Sequence, residues 1–361
     1  MSPYQIAGIA VKSCTERFRT RRRLFLAFHF AWIIIGVLVE AKTKPILLRK
    51  RLRFRLETAV ARVFAWLIPH LPRKVIWRLG RVTGGLGYYL LPMQRRIARA
   101  NLDLAFGSTK TPAEKARIAR ASAQYFATTM LTQFWATRLT RNTLDEVAEA
   151  DAEGLRLMRD LRAKGRAIIL IGLHYGDLEL LGLATGFYGF HMTVVTKTMR
   201  NPALETIFSR LRAQSGHHII SSHHAGAKLL KALKQGDCVA LVIDQHVGLN
   251  AGGIWCDFFG VPVLTTSMVA RLALHSGAAI VGCVARPLPH GRSRIVYGPE
   301  IHCEPSGNDQ ADVQNVTQQC LQFCERTIRE KPEPWLWSYK RWKVRPHQEQ
   351  GRYPFYSNPL P

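Results

Sequence analysis

The chain has 361 residues, 47% of them hydrophobic, enough for one large α/β domain or for one domain with an N-terminal attachment segment. Its 51 Lys and Arg against 25 Asp and Glu give a net charge of +26, which implies an anionic partner: nucleic acid, an acidic protein or an anionic lipid surface. The seven cysteines are odd in number and include no C-x-x-C pair, which excludes a regular disulfide framework and fits a reduced, cytosolic setting.

In chain order, the first feature is LFLAFHFAWIIIGVLV, residues 24–39, interrupted only by His29. It is short for a full span, which needs about 20 residues. Both flanks are densely basic, with Arg17 to Arg23 before it and Lys42 to Arg55 after it, so we expect an uncleaved anchor or a half-immersed helix at an anionic surface. Residues 56–68 have apolar positions at helical spacing and suit the interface plane. The stretch Pro72–Leu91 follows, then a basic helix over 94–106 and a helix over 112–139, the last with Thr111 as N-cap, Pro112 at the first position and Glu114 in the first turn. The first 150 residues are thus expected to be helical and basic, without strands.

After residue 150 the pattern alternates. Strands are predicted at 167–173, 192–197, 217–221, 238–244, 278–286 and 293–299. Helices are predicted at 178–187, from Asn201-Pro202 through Arg212, from Ser222 to Gly236, at 268–276 and from Asp309 or Asp312 to Lys331, with a glycine-rich aromatic loop over Val247–Pro262. The fold class expected is α/β: a mostly parallel mixed sheet flanked by helices, with an N-terminal helical membrane-attachment region. The divisions expected are a basic N-terminal segment (1–55), a helical membrane-associated region (56–150), an α/β core (151–345) and a C-terminal tail (346–361), with 56–345 forming one compact domain. There is no internal repeat and no phosphate-loop motif.

Within LIGLHYGDLELLGL (170–183), three polar groups interrupt an apolar run, and such groups are costly to bury unless paired or used. His174 falls at the carboxyl edge of a predicted strand, where α/β sheets commonly place sites. Glu179 is five residues on; on one continuous helix the two would diverge by about 140°. With His174 on the turn and Glu179 in the first helical turn, the chain can fold back, and the carboxylate can hold an imidazole N–H. Asp177 has a simpler reading as the helix N-cap. As a lone motif H-x4-E also describes an ordinary turn histidine.

Six segments together resemble the late acyltransferases of lipid A assembly, the lauroyl/myristoyl family, over almost the whole chain after about residue 55. They are RRIARANLDLAF (95–106), LHYGDLEL (173–180), RNPALETIFSRLR (200–212), ALKQGDCVALVIDQHVG (232–248), DFFGVPVLTTSMVARLALHSGAAIV (257–281) and EPWLWSYKRWKVRP (333–346). The resemblance implies a membrane-bound α/β acyltransferase that moves a fatty acyl chain from an acyl carrier protein thioester to a hydroxyl of an anionic glycolipid. A lipid A precursor is the leading acceptor, with other glycolipids or phospholipids as alternatives, at the cytoplasmic face of a bacterial inner membrane. It places the catalytic pair on His174 and Glu179, a functional arginine on Arg210 with Arg212 two residues on, and an aspartate on Asp244. His174 would take the hydroxyl proton, Glu179 would orient it, and Arg210 would hold the oxyanion. Asp244, ending a buried strand, is expected to be paired, in support or in catalysis. No metal and no cofactor is expected.

Trp335, Trp337, Trp342, Lys340, Arg341 and Lys343 form an aromatic–basic cluster that suits a lipid headgroup, or equally a core strand with a solvated end. Phe258, Phe259 and Leu264 suit an acyl groove or loop packing. The chain departs from the family pattern at His246, where a second acid is usual, and at His217, His218, His223 and His224, which we read as a polar loop facing the headgroup. Two other classes compete: a basic nucleic-acid binder, for which no recognised motif is present, and a metal-assisted hydrolase using the clustered histidines, which would need a carboxylate or cysteine as well.

Overall fold

Residues 168–172 read IILIG, all five buried, and this run becomes the strand on which the site is built. In the computed structural model, residues 48–361 are described apart from 197, 198, 223, 224, 348, 350 and 361, with backbone alone for 48, 49 and 210–213. The apolar run 24–39 therefore lies outside the described residues, among which no helix is long and apolar enough to cross a membrane. The chain divides at Ala61/Arg62 into two compact units, and the second carries the whole sheet and every side chain of the site.

Among the described residues four α-helices come first: α1 (Leu48–Leu67), which crosses that division, α2 (Arg73–Leu90), α3 (Pro92–Phe106) and α4 (Pro112–Trp135). The start of α4 is the predicted one. The Thr111 hydroxyl accepts from Glu114 N and the Glu114 carboxylate accepts from Thr111 N, a reciprocal capping box that satisfies two otherwise orphaned donors.

Strands and helices then alternate: β1 (Ala148–Ala150), α5 (Ala152–Ala163), β2 (Ile168–Gly172), α6 (Leu178–Phe187), β3 (Met192–Thr196), α7 (Pro202–Ala213), β4 (His218–Ser221), α8 (Ala225–Lys234) and β5 (Cys238–Val242). After them come β6 (Gly253–Phe258), β7 (Val261–Thr266), α9 (Met268–Ser276), β8 (Ala279–Pro287), β9 (Ser293–Ile301) and α10 (Asp309–Glu330), with a short pair, β10 (Val344–Arg345) and β11 (Asn358–Pro359), closing the chain. Among the described residues the main sheet has seven strands in the order β1-β9-β8-β2-β5-β3-β4. Every neighbouring pair is parallel except β8 with β9. The expected mixed, mostly parallel sheet flanked by helices is what forms.

Two expectations are corrected. The first 150 residues end in a strand, since β1 adds to the sheet edge beside β9. The aromatic loop over 247–262 is in part a hairpin: β6 and β7 pair antiparallel from Gly253↔Thr266 to Phe258↔Val261. Its two turn residues, Phe259 (φ 55°) and Gly260 (φ 69°), are both left-handed, the requirement of a tight two-residue hairpin turn.

Helices α2 and α4 approach closely through glycine. A Cβ on Gly80 would fall 2.2 Å from Thr128 Oγ1, and one on Gly84 would fall 2.4 Å from the Ala123 carbonyl oxygen. Alanine at position 84 gains about 1 kcal/mol of helix propensity, but overpacking against rigid backbone costs roughly 1–3 kcal/mol. Packing should win. Gly84→Ala is expected to lower the thermal unfolding midpoint by a few degrees, and an unchanged or raised midpoint would show that the two helices do not need the missing side chain.

Candidate active site

The turn after β2 is where the fold concentrates polar groups. Strand β2 lies between β5 and β8, so its carboxyl end opens beside that of β5. His174 leaves β2 and Asp244 leaves β5, and the ladder runs on past both strands, with Ile243 N donating to Gly172 O at 3.1 Å. Gly176 turns the chain with φ 60°, and a Cβ there would fall 2.3 Å from the Ala285 carbonyl oxygen. Only glycine fits both conditions. Asp177 then caps α6, its Oδ1 accepting from Leu180 N at 3.2 Å, as the sequence suggested.

Asp244 is buried and accepts three donors. Its Oδ1 is 2.8 Å from His174 Nδ1, while Oδ2 takes His174 N at 2.9 Å and the Trp335 indole N–H at 2.8 Å. On the far side of the ring, the Gln245 amide nitrogen is 3.2 Å from His174 Nε2. An amide nitrogen only donates, so Nε2 carries the lone pair and Nδ1 carries the proton toward Asp244. The His174 side chain keeps 26% of its surface exposed, against 3% for Asp244.

The two groups shift each other. Burial presses the His174 pKa down, but the Asp244 charge and hydrogen bond, with the Glu179 charge, outweigh it and hold the ring above its ordinary value. Burial likewise pushes Asp244 up, and the His174 interactions and the Trp335 donor outweigh that, so the carboxyl stays below its ordinary value. The result is a buried carboxylate against a half-exposed, strengthened base.

The pairing expected between His174 and Glu179 is therefore corrected in one respect: the ring N–H meets Asp244. Glu179 stands in the first turn of α6, where its Oε1 accepts from Gln133 Nε2 at 3.1 Å, and it reaches the ring through its charge. Arg210 and Arg212 sit on α7, and their side chains lie outside the described residues.

The aromatic–basic cluster is also corrected. Trp335, Trp337, Trp342 and Arg341 are buried to 1% exposure or less, so they face no headgroup. Trp335 and Trp337 pack edge to face at 4.6 Å, and Phe258 stacks on Trp342 at 5.7 Å. Arg341 donates to Leu264 O at 2.8 Å and lies over the Phe258 ring. Phe258, Phe259 and Leu264 are all buried, Phe258 and Phe259 within this same core. Lys340 alone of the cluster is exposed, and Lys343 is half-buried.

The histidine-rich stretch splits. His217 is buried, its Nδ1 accepting from Met192 N at 3.2 Å and its Nε2 donating to Gly182 O at 2.7 Å, so it ties α6 to β3. Burial pulls its pKa below the ordinary value, and a neutral ring is what that pair of bonds needs. This one faces the core, His218 is exposed, and His223 and His224 lie outside the described residues. His246 is half-buried and pushed down to about 4 by burial and the nearby cations Arg341 and Lys343, so it stands neutral where the family pattern has an acid.

Sequence reasoning missed three supports. Arg73, from α2, reaches Asp177 Oδ2 at 3.2 Å and Thr132 Oγ1 at 2.7 Å, tying the N-terminal helices to the base of α6. Trp335 bonds to Asp244 rather than facing a lipid, and Gln245 meets His174 Nε2. The available signal for Gln245 was position: it follows the aspartate at the end of the strand beside β2.

Residues 48–344 match the model of the family described as bacterial lipid A biosynthesis acyltransferase. The chain is 28% identical over 293 residues to a lipid A biosynthesis palmitoleoyltransferase of Escherichia coli K12, covering 80% of this chain and 91% of the relative. A lipid A biosynthesis acyltransferase of Shigella flexneri matches to the same extent, at 28% identity over 80% of this chain and 91% of its own length. A lipid A biosynthesis lauroyltransferase of Escherichia coli K12 is 26% identical over 294 residues, 80% of this chain and 92% of the relative. By this match over most of its length, the chain is an acyltransferase and belongs to the bacterial lipid A biosynthesis acyltransferase family.

Proposed function

We propose that this chain moves a fatty acyl group from an acyl carrier protein thioester to a hydroxyl of a lipid A precursor, at the cytoplasmic face of a bacterial inner membrane. The observation that carries the reading is the His174–Asp244 pair at the carboxyl edge of adjacent strands, with the ring nitrogen distal to the carboxylate holding a lone pair. The family and its named relatives supply the substrate class. The net charge of +26 suits both an acidic carrier protein and anionic lipid.

The chemistry is general-base acyl transfer. His174 Nε2 takes the proton of the acceptor hydroxyl as the oxygen attacks the thioester carbonyl. The tetrahedral oxyanion collapses, the carbon–sulfur bond breaks, and the imidazolium returns the proton to the departing thiolate. Asp244 keeps the Nδ1 proton throughout and stabilises the imidazolium. The family resemblance assigns the oxyanion to Arg210, with Arg212 beside it in sequence.

Membrane attachment is supported by an exposed apolar stripe on α2, with Leu79, Val82, Leu86, Tyr89 and Leu90 on one helical face. Arginines lie at its margin, Arg81 over Trp77 and Arg120 over Tyr89. Apolar contact rimmed by cations that grip aromatic rings suits the headgroup level.

The purified chain, incubated with acyl carrier proteins bearing different chains and a panel of lipid acceptors, should yield a lipid A precursor heavier by one acyl group. Acylation of none of the lipids would sink the reading. His174→Ala should lower the transfer rate by about 10²–10⁴-fold. The pH dependence follows from the raised ring pKa. The base works only when neutral, so activity should climb with pH through a midpoint above about 6.5, the ordinary value. Asp244→Asn removes the charge that raises the ring. Its acidic limb should move to lower pH while the plateau rate falls, and a limb that stayed in place would separate Asp244 from the base.

A further inference from the structure

Gln245 is the one group, among the described residues, whose hydrogen bond meets the nitrogen that must accept the substrate proton. It follows Asp244 directly, and is half-buried at the open end of β5. Its amide N–H points at the Nε2 lone pair, on the side of the ring opposite Asp244. An acceptor hydroxyl must present its proton to that same lone pair.

We propose that Gln245 is a positioning residue for the general base: its amide caps Nε2 in the free enzyme, holds the ring plane between two partners, and gives way to the acceptor hydroxyl. The inference rests on the acyl-transfer reading above and deepens it. The two ring nitrogens then carry opposed neighbours. A carboxylate at Nδ1 favours the charged ring. An N–H donor at Nε2 favours the neutral ring, because a protonated Nε2 would face another donor. The amide therefore moderates the base and keeps more of it in the working form near neutral pH. The charged groups facing the ring are Asp244, beyond β5, and Glu179, on α6; α4 contributes Gln133, bonded to Glu179, and the C-terminal segment contributes Trp335, bonded to Asp244. Neither Gln133 nor Trp335 is charged, so the amide is the neutral lever on the ring.

The test uses the full chain in detergent, with ¹³C-labelled histidine observed by NMR and the His174 resonance identified by its loss in His174→Ala. In Gln245→Met, which keeps the length and removes the amide, the midpoint of the ring's titration should rise by roughly 0.5–1 pH. In Gln245→Glu, which keeps the shape and adds a charge, it should rise further. The acidic limb of kcat/KM should move by the same amount in each, so that activity at pH 6 falls several-fold in Gln245→Met and more in Gln245→Glu. A ring titration unchanged in both variants would overturn the proposal, as would a downward movement in Gln245→Met. The two readings fail separately. If His174→Ala still transfers acyl chains, the acyl-transfer mechanism falls whatever the ring titration does. If His174→Ala is inactive while the Gln245 variants titrate as the parent, only the role of Gln245 falls.

Discussion

The constraint on which the rest depends is the buried charge of Asp244. A carboxylate with 3% of its side chain exposed is costly to keep ionised unless its oxygens are met by donors. Here the donors come from two distant parts of the chain. The turn after β2 supplies a backbone N–H and the imidazole; the segment after α10 supplies the Trp335 indole. The ionised carboxylate that strengthens the base is thus available only when the C-terminal segment is folded against the sheet edge. That segment is bound to the same turn by backbone bonds, with Gly176 N donating to Pro334 O and Leu336 N donating to His174 O, both at 3.1 Å.

The N-terminal helices are built into the same arrangement. Ser122 of α4 donates to Trp335 O at 2.5 Å and accepts from Trp337 N at 3.2 Å. Asn101 of α3 donates to the carbonyls of Trp337 and Tyr339, both at 2.7 Å, and accepts from the Tyr356 hydroxyl. Arg73 of α2 reaches the cap of α6. Buried polar groups satisfied in this way fix one arrangement over others, because any slip leaves several of them unpaired. The three tryptophans fill the space between these bonds. Their burial explains why a cluster that looks like a headgroup reader is core: the Trp335 and Trp337 indoles and one Arg341 nitrogen bond to the protein itself.

Much of the fold was legible because local signals agreed with the tertiary result. The capping box at Thr111, the Asn201-Pro202 start of α7 and the apolar runs of β2, β5 and β8 are decided within a few residues. The hairpin β6–β7 was hidden because its aromatic residues look like loop packing and its turn places Phe259, not the usual Gly or Asn, at positive φ. At the site, the histidine was legible from its place at a strand end. Its partner was not, since Asp244 is 70 residues away and only sheet order brings β5 beside β2. A short-range motif such as H-x4-E draws attention to the neighbour in sequence, while the hydrogen bond goes to the neighbour in space.

Why then is a second carboxylate near the ring? On the proposed mechanism, proton abstraction turns a neutral imidazole into a cation inside a partly dry site. Asp244 alone must then serve two cations, since its charge also supports the fully buried Arg341 guanidinium. His246 adds no counter-charge, being neutral where an acid would be usual. Glu179, held by Gln133 and acting on the ring through space, supplies the missing negative charge without taking the Nδ1 proton. The division of labour follows from distance: the carboxylate in contact sets the tautomer, and the one farther off lowers the cost of the imidazolium.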